Sequence, residues 1–166
     1  MLIRSEIDRD LPAIRSVVTE AMKLLPQSTG TEADIIDRLR ADAALSLSLV
    51  AEDEGEVVGY LAASDARIGT EEGWRLIGPL AVAPSRHGTG IGSALMAEAL
   101  LRLRPTCRGA VLVGEPGYYG RFGFRAFPEL GLGACPPKFV QALPFDSPKP
   151  SGEVIPHAAF GLPQQG

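Results

Sequence analysis

The stretch PLAVAPSRHGTGIGSALM, residues 79–96, passes from an apolar run through Pro84 and a glycine-studded turn into a run of small and apolar residues. Turns of this kind wrap phosphate in several unrelated proteins. A Walker-type loop needs Gly-Lys-Ser/Thr after its glycines, the lysine for the terminal phosphates and the hydroxyl for magnesium. Here Gly92 is followed by Ser93 with no lysine. A dinucleotide fingerprint needs G-x-G-x-x-G; Gly88-Thr89-Gly90 begins one, but Ser93 or Ala94 stands where the third glycine belongs. Glu115 is only loosely placed as the acidic ribose ligand that should follow. What survives is simpler. Small residues let a ligand approach the backbone, and successive N–H groups converge at a helix N-terminus that carries positive partial charge. A diphosphate there gains ~0.3–1 kcal/mol from the dipole, besides direct hydrogen bonds. Arg86 and His87 add a basic rim. On spacing alone, a tight strand-to-helix turn without a ligand is the competing reading.

Working outward, SALMAEALLRLR (93–104) carries Leu95, Ala99 and Leu103 at four-residue intervals, which predicts a helix facing a sheet. Arg102 and Arg104 complement the C-terminal end of its dipole, and Pro105 stops it. GAVLVG (109–114) reads as a buried strand of the parallel kind, and GWRLIGPLAVAP (73–84) as another. Strand, glycine turn, helix and strand make one right-handed βαβ unit. Pro79 cannot donate to a ladder, so the second of these strands is expected to be bulged or unpaired at Gly78-Pro79.

On the N-terminal side, LIRSEI (2–7) reads as a strand and 11–24 as an amphipathic helix with Asp10 as N-cap and Pro12 in its first turn. Leu11, Ile14, Val17, Val18, Ala21 and Leu25 form the apolar stripe of that helix. Thr31 opens a second helix, with Asp34 completing an imperfect capping box. LSLSLVAED (45–53) places leucines on one face and serines on the other, and EVVGYLAAS returns as its hairpin partner. Residues 128–166, rich in proline, read as short strands joined by turns.

Composition sets bounds on function. The 166 residues fit one domain able to bury its own core, and 45 % hydrophobic with 22 % charged residues is the balance of a globular protein. A net charge of −4 argues against a broad nucleic-acid surface. Cys107 and Cys135 lie far apart with no CxxC and no nearby histidine pair, which argues against a metal site and is expected of two reduced thiols. Charged residues interrupt the N-terminus and no run is long enough to span a bilayer, so no membrane association and a cytoplasmic location are expected.

The motif at 79–96 resembles the cofactor-binding segment of the GNAT N-acetyltransferase superfamily: a strand ending hydrophobic-x-Val, then Pro, then Gln/Arg-x-x-Gly-x-Gly/Ala opening a helix. YYGRFGF (118–124) resembles that family's second signature, and the order of elements agrees over roughly residues 1–127. The resemblance implies an α/β fold of the α+β type. Its mixed, mostly antiparallel sheet is flanked by helices, and two central parallel strands splay apart. One N-acetyltransferase domain is implied over 1–166, its core at about 1–127 and a strand-and-turn region at 128–166. It also implies acetyl-CoA as cosubstrate, no metal, and an amine acceptor attacked directly in a ternary complex. The pantetheine arm would pair with the backbone of Leu80, Ala81 and Val82. The pyrophosphate would rest on the N–H groups of His87, Gly88, Thr89, Gly90, Ile91 and Gly92, with Arg86 at the rim and Ser93 adding a hydroxyl. A backbone N–H near Val82 would polarise the thioester carbonyl. Tyr119 would protonate the leaving thiolate, with Tyr118 in reserve; a phenol of ordinary pKa ~10 stays protonated where a thiol at ~8.5 begins to ionise. A homodimer is expected by analogy alone.

Departures from the family pattern matter as much. His87 replaces the usual Gln or Arg, which implies pyrophosphate binding with some pH dependence below neutrality. Gly78 falls near the place of the general-base glutamate of many relatives. Glu52, Asp53, Glu71, Glu72, Glu115 and His157 are the alternatives, beside a chain of waters. The missing base keeps a second reading open, a catalytically silent module that binds or senses acyl-CoA.

Overall fold

The computed structural model describes residues 1–26, 28–146 and 148–161. Their order is β1 (Leu2–Ser5), α1 (Leu11–Met22), α2 (Glu32–Ala41), β2 (Leu45–Asp53), β3 (Glu56–Ile68), β4 (Glu71–Val82), α3 (Ile91–Leu103), β5 (Gly109–Val113), α4 (Pro116–Tyr119), β6 (Leu130–Gly131), β7 (Val140–Pro144) and β8 (Gly152–Pro156). This is the expected mixed α/β architecture, a mostly antiparallel sheet with some parallel pairing and helices on its faces. Residues divide into two units: Met1–Ala63 with Gly78–Leu100, and Ser64–Ile77 with the chain from Leu101 onward. The long strands β3 and β4 contribute to both.

In the first unit β1 pairs antiparallel with β2, Leu2 opposite Glu52 and Ser5 opposite Leu49. Glu54 and Gly55 turn the chain into β3 with φ of +52° and +81°, the positive pair that matches the twist of a tight hairpin. On one face, Ile14, Val17, Val18 and Ala21 of α1 and Ala33 and Ile36 of α2 pack with Val50, Tyr60, Ala62 and Ala81. The periodic stripe of α1 is therefore its buried face. Leu25, counted into that stripe, lies beyond the last helical residue and is 41 % exposed. At Gly59 a Cβ would stand 2.8 Å from Ile91 Cγ2, 3.0 Å from Leu95 Cδ1 and 3.3 Å from Ala51 Cβ. Glycine thus lets the first turns of α3 lie directly against β2 and β3.

Several polar expectations change. Of the two serines of the 45–53 strand, Ser46 is exposed but Ser48 is drawn into a network: its Oγ bonds the Tyr60 hydroxyl at 2.6 Å and donates to the Glu6 carboxylate. Arg40 in turn grips Glu6 through Nε at 2.9 Å and its other nitrogen at 2.8 Å. Burial pushes the Tyr60 hydroxyl up to about 12. Asp10 stands before α1, but its side chain does not cap that helix. It accepts the Ile7 N–H at 2.8 Å and a two-pronged Arg4 guanidinium at 2.7 and 3.0 Å, closing the turn ahead of the helix instead. Thr31 occupies the N-cap position of α2 without a side-chain cap, and Asp34 pairs with Arg15 of α1 at 2.7 Å.

In the second unit Trp74–Leu76 of β4 runs parallel to Gly109–Val111 of β5. β5 pairs antiparallel with β7 from Gly109 to Val113, and β8 pairs antiparallel with Ala66–Ile68 of β3 and parallel with β6. The short strands expected beyond residue 128 are present. Trp74, Leu76, Val111, Phe127, Leu130, Val140, Ala142 and Val154 form the core. Trp74 is fully buried and satisfies its indole N–H on Glu71 at 2.7 Å. The parallel ladder spans Trp74–Leu76 and does not include Ile77 and Leu112. Two residues on, Gly78 has φ +150° and the Gly78–Pro79 peptide is cis, with β4 continuing to Val82.

Asp10 is 4 % exposed, and the Arg4 guanidinium holds its carboxyl below the ordinary 3.8 against the opposing effect of burial. A carboxylate with a depressed folded pKa stabilises fully above its unfolded pKa and ceases to do so as pH falls through the folded one. Asp10→Ala is expected to cost about 1–2 kcal/mol at neutral pH, because it removes the two-pronged acceptor of Arg4 and the acceptor of the Ile7 N–H and leaves Glu52 as the remaining carboxylate on that guanidinium. In urea titrations its deficit against wild type should shrink as pH is lowered below about 4. A deficit independent of pH would assign the loss to packing alone.

Candidate functional site

The phosphate-binding expectation concerns the first unit. β4 ends at Val82, Pro84–Arg86 make one 3₁₀ turn, and α3 begins at Ile91. Between them Gly88 and Gly90 have φ of +78° and +86°, a conformation that Cβ-bearing residues resist. A Cβ at either would meet nothing within 4 Å. Backbone geometry and open space above the loop, not crowding, therefore account for glycine here. The first intrahelical bond runs from Ala94 N–H to Gly90 O at 3.0 Å, so the N–H groups before Ala94 have no place in the helix ladder. Among the described residues, no protein acceptor takes the N–H of Gly88, Thr89, Gly90, Ile91 or Gly92. Gly88, Thr89 and Gly90 are solvent-exposed. Five N–H donors thus follow one another into the positive end of a 13-residue helix, three of them on exposed residues, with Gly92 half-buried and Ile91 buried.

The neighbours of this segment depart from the sequence reading in three ways. The His87 N–H turns back to Pro84 O at 3.4 Å, closing the 3₁₀ turn. The His87 ring places Nε2 2.9 Å from Val82 O; a carbonyl only accepts, so Nε2 carries the proton in this contact. Arg86 is ion-paired with Asp53, whose carboxyl it holds below the ordinary range. None of these contacts was visible in sequence, since each depends on how the turn folds back. Of the strand residues proposed for pantetheine, Ala81 is buried while Leu80 and Val82 are half-buried. Ala83 N–H just beyond them donates to Val58 O at 2.8 Å.

The tyrosine expectation concerns the second unit. α4 starts at Pro116, with the N–H groups of Tyr118 and Tyr119 both on Glu115 O at 3.1 and 3.0 Å. Gly123, at φ +100°, closes the following turn and delivers Phe124 into the interior. The Tyr119 ring stands over Gly114: a Cβ there would lie 2.3 Å from Tyr119 Cε2. Phe124 meets the ring edge-on at 6.3 Å between centroids and Tyr118 at 4.9 Å. Burial first, and the neighbouring Tyr118 second, push the Tyr119 phenol up to about 12. Its hydroxyl has no hydrogen-bond partner among the described residues. Tyr118 instead lies under the Arg121 guanidinium at 4.5 Å and against Phe122 at 5.6 Å. Neither hydroxyl has a hydrogen-bond partner among the described residues; what sets Tyr119 apart is its seat on Gly114 and the upward shift of its phenol.

The alternative bases are mostly engaged. Glu52 takes Arg4 at 2.9 Å, Asp53 takes Arg86, and Glu71 takes Trp74 Nε1. Glu72 and Glu115 are exposed, and His157 accepts the Ala159 N–H on Nδ1 at 2.9 Å. Among the described residues no group of three or more His, Cys, Asp or Glu could hold a metal, and no helix is long and apolar enough to cross a membrane.

Residues 45–126 match the model of the acetyltransferase (GNAT) domain. Over 127 residues, 75 % of this chain and 73 % of the relative, the sequence is 38 % identical to the uncharacterized N-acetyltransferase YhbS of Escherichia coli K12. The fold matches a GNAT family acetyltransferase from Brucella melitensis, crystallised with acetyl-CoA, at a TM-score of 0.85 and 43 % identity, covering 96 % of this chain and 97 % of that one. The crystal structure of YhbS from Escherichia coli with CoA matches at 0.87 and 30 % identity, over 97 % and 92 % of the two chains. The chain therefore belongs to the GNAT family of N-acetyltransferases.

Proposed function

We propose that residues 1–166 act as one N-acetyltransferase domain that moves an acetyl group from acetyl-CoA to a primary amine by direct attack in a ternary complex. The observation that carries this reading is the run of N–H donors from Gly88 to Gly92 with no protein acceptor at the start of α3. A diphosphate presents several anionic acceptors to such a run and needs no lysine or metal. The donors fit, and the open space above Gly88 and Gly90 leaves room for it. Two relatives that cover nearly the whole chain were crystallised with acetyl-CoA and with CoA, which supports the same ligand here.

In the reaction the amine nitrogen bonds to the thioester carbonyl carbon as the C–S bond breaks, and the thiolate leaves. A backbone N–H near Val82 would donate to the oxyanion. The Tyr119 phenol gives its proton to the thiolate and regains one from solvent; burial keeps it protonated throughout the working pH range. The proton released by the amine goes to water, because Gly78 supplies no carboxylate and Glu52, Asp53 and Glu71 are engaged.

Tyr119→Phe is expected to lower kcat by about 100-fold with little change in KM for acetyl-CoA, while Tyr118→Phe stays near wild type; a free-thiol assay over an amine panel reads both. Wild-type turnover in Tyr119→Phe removes the acid assignment. If CoA binds but no amine releases thiol, the silent acyl-CoA-binding reading replaces this one. Wild-type kcat should not fall between about pH 8 and pH 10, since the acid titrates higher. Gly90→Val, which forces a branched side chain into φ +86°, should weaken CoA by about tenfold in calorimetry, with a control melt to confirm folding. Unchanged affinity would move the diphosphate elsewhere.

A further inference from the structure

β7 carries a buried amide that uses only part of its hydrogen-bonding capacity. Gln141 is 1 % exposed and lies between Val140 and Ala142, which enter the core of the second unit, so alternation turns Gln141 to the other face. Its Nε2 donates to Gly114 O at 2.9 Å and to Phe139 O at 3.4 Å. Two carbonyl acceptors fix the amide orientation, because the flipped form would set oxygen against oxygen. Oε1 is then buried with no partner among the described residues. An unsatisfied buried acceptor costs stability, and an apolar side chain of similar length would avoid that cost. The amide is kept despite that orphaned oxygen, and what it supplies in return is a donor for Gly114 O.

What the amide holds is the floor beneath Tyr119. Gly114 N–H donates to Phe139 O at 3.0 Å and Gly114 O accepts from Gln141, so both of its backbone polar groups are tied to the chain entering β7. The next carbonyl, Glu115 O, starts α4. The Tyr119 ring rests on Gly114 so closely that no Cβ fits between them. We propose that Gln141 is a positioning residue for acetyl transfer, clamping Gly114 as the seat that orients the Tyr119 hydroxyl toward the departing thiolate. This rests on Tyr119 being the acid. A loosened seat admits water, and a rewetted phenol titrates closer to its ordinary ~10.

The test compares Gln141→Met, Tyr119→Phe and the double variant in steady-state kinetics across pH, with melting curves for each. Gln141→Met, which discards the orphaned oxygen but also leaves Gly114 O without its donor, is expected to melt close to the wild-type temperature. Its kcat should fall about tenfold with KM for acetyl-CoA within about twofold, and a basic limb absent from wild type should appear near about pH 10. The double variant should be no slower than Tyr119→Phe alone. Wild-type kcat and pH profile in Gln141→Met, with Tyr119→Phe slow, overturn the inference and leave the acid assignment standing. A double variant slower than Tyr119→Phe by the full tenfold also overturns it, by separating Gln141 from the phenol. Wild-type kcat in Tyr119→Phe overturns the acid assignment beneath it. Should Gln141→Met fail to fold, Gly114→Ala disturbs the same seat from above, and unaltered kcat in that variant counts against the clamp.

Discussion

An α-helix cannot satisfy the N–H groups of its own first turn, and the loop that leads into α3 adds more donors instead of capping them. Everything nearby is arranged around that deficit. Gly59 brings the first turns of α3 down onto β2 and β3, which fixes where the helix begins relative to the end of β4. The 3₁₀ turn at Pro84–Arg86 consumes the N–H groups of Arg86 and His87, and the ion pair to Asp53 anchors it to the end of β2. The donors that follow have no protein acceptor among the described residues, and a diphosphate is the ligand proposed for them.

The second unit holds a half-buried phenol whose hydroxyl has no partner among the described residues. A buried tyrosine normally finds an acceptor for its O–H. Tyr60 shows the ordinary solution, bonding Ser48 within the Glu6–Arg40 network. Tyr119 shares the upward shift that burial brings to Tyr60 but lacks the bond. That contrast within one chain sets a phenol bonded into the fold apart from one that the fold leaves unbonded.

Legibility from sequence followed the range of the interaction. Ile14, Val17, Val18 and Ala21 revealed α1 because helical burial repeats locally, yet the stripe ran on to Leu25, where Pro26 had already ended the helix. The glycines at 88 and 90 announced a tight turn, and the positive φ that both adopt is why glycine stands there. Contacts that join distant segments stayed hidden: Ser48 with Glu6, Arg86 with Asp53, Asp10 gripped by Arg4 instead of capping α1. The His87 ring on Val82 O is close in sequence but depends on the shape of the intervening turn. Gln141 did leave a trace, a lone amide inside the apolar run FVQALPF, which alternation places on a buried face.

The central claim is that the N–H donors at the start of α3 receive the diphosphate of CoA. The most direct measurement is a titration of CoA into the ¹⁵N-labelled protein, followed by amide proton shifts. The account predicts that the largest downfield shifts fall on Gly88, Thr89, Gly90, Ile91 and Gly92, as free donors gain anionic acceptors. Largest shifts at Ser28–Ala33, with the Gly88–Gly92 amides unmoved, would contradict it.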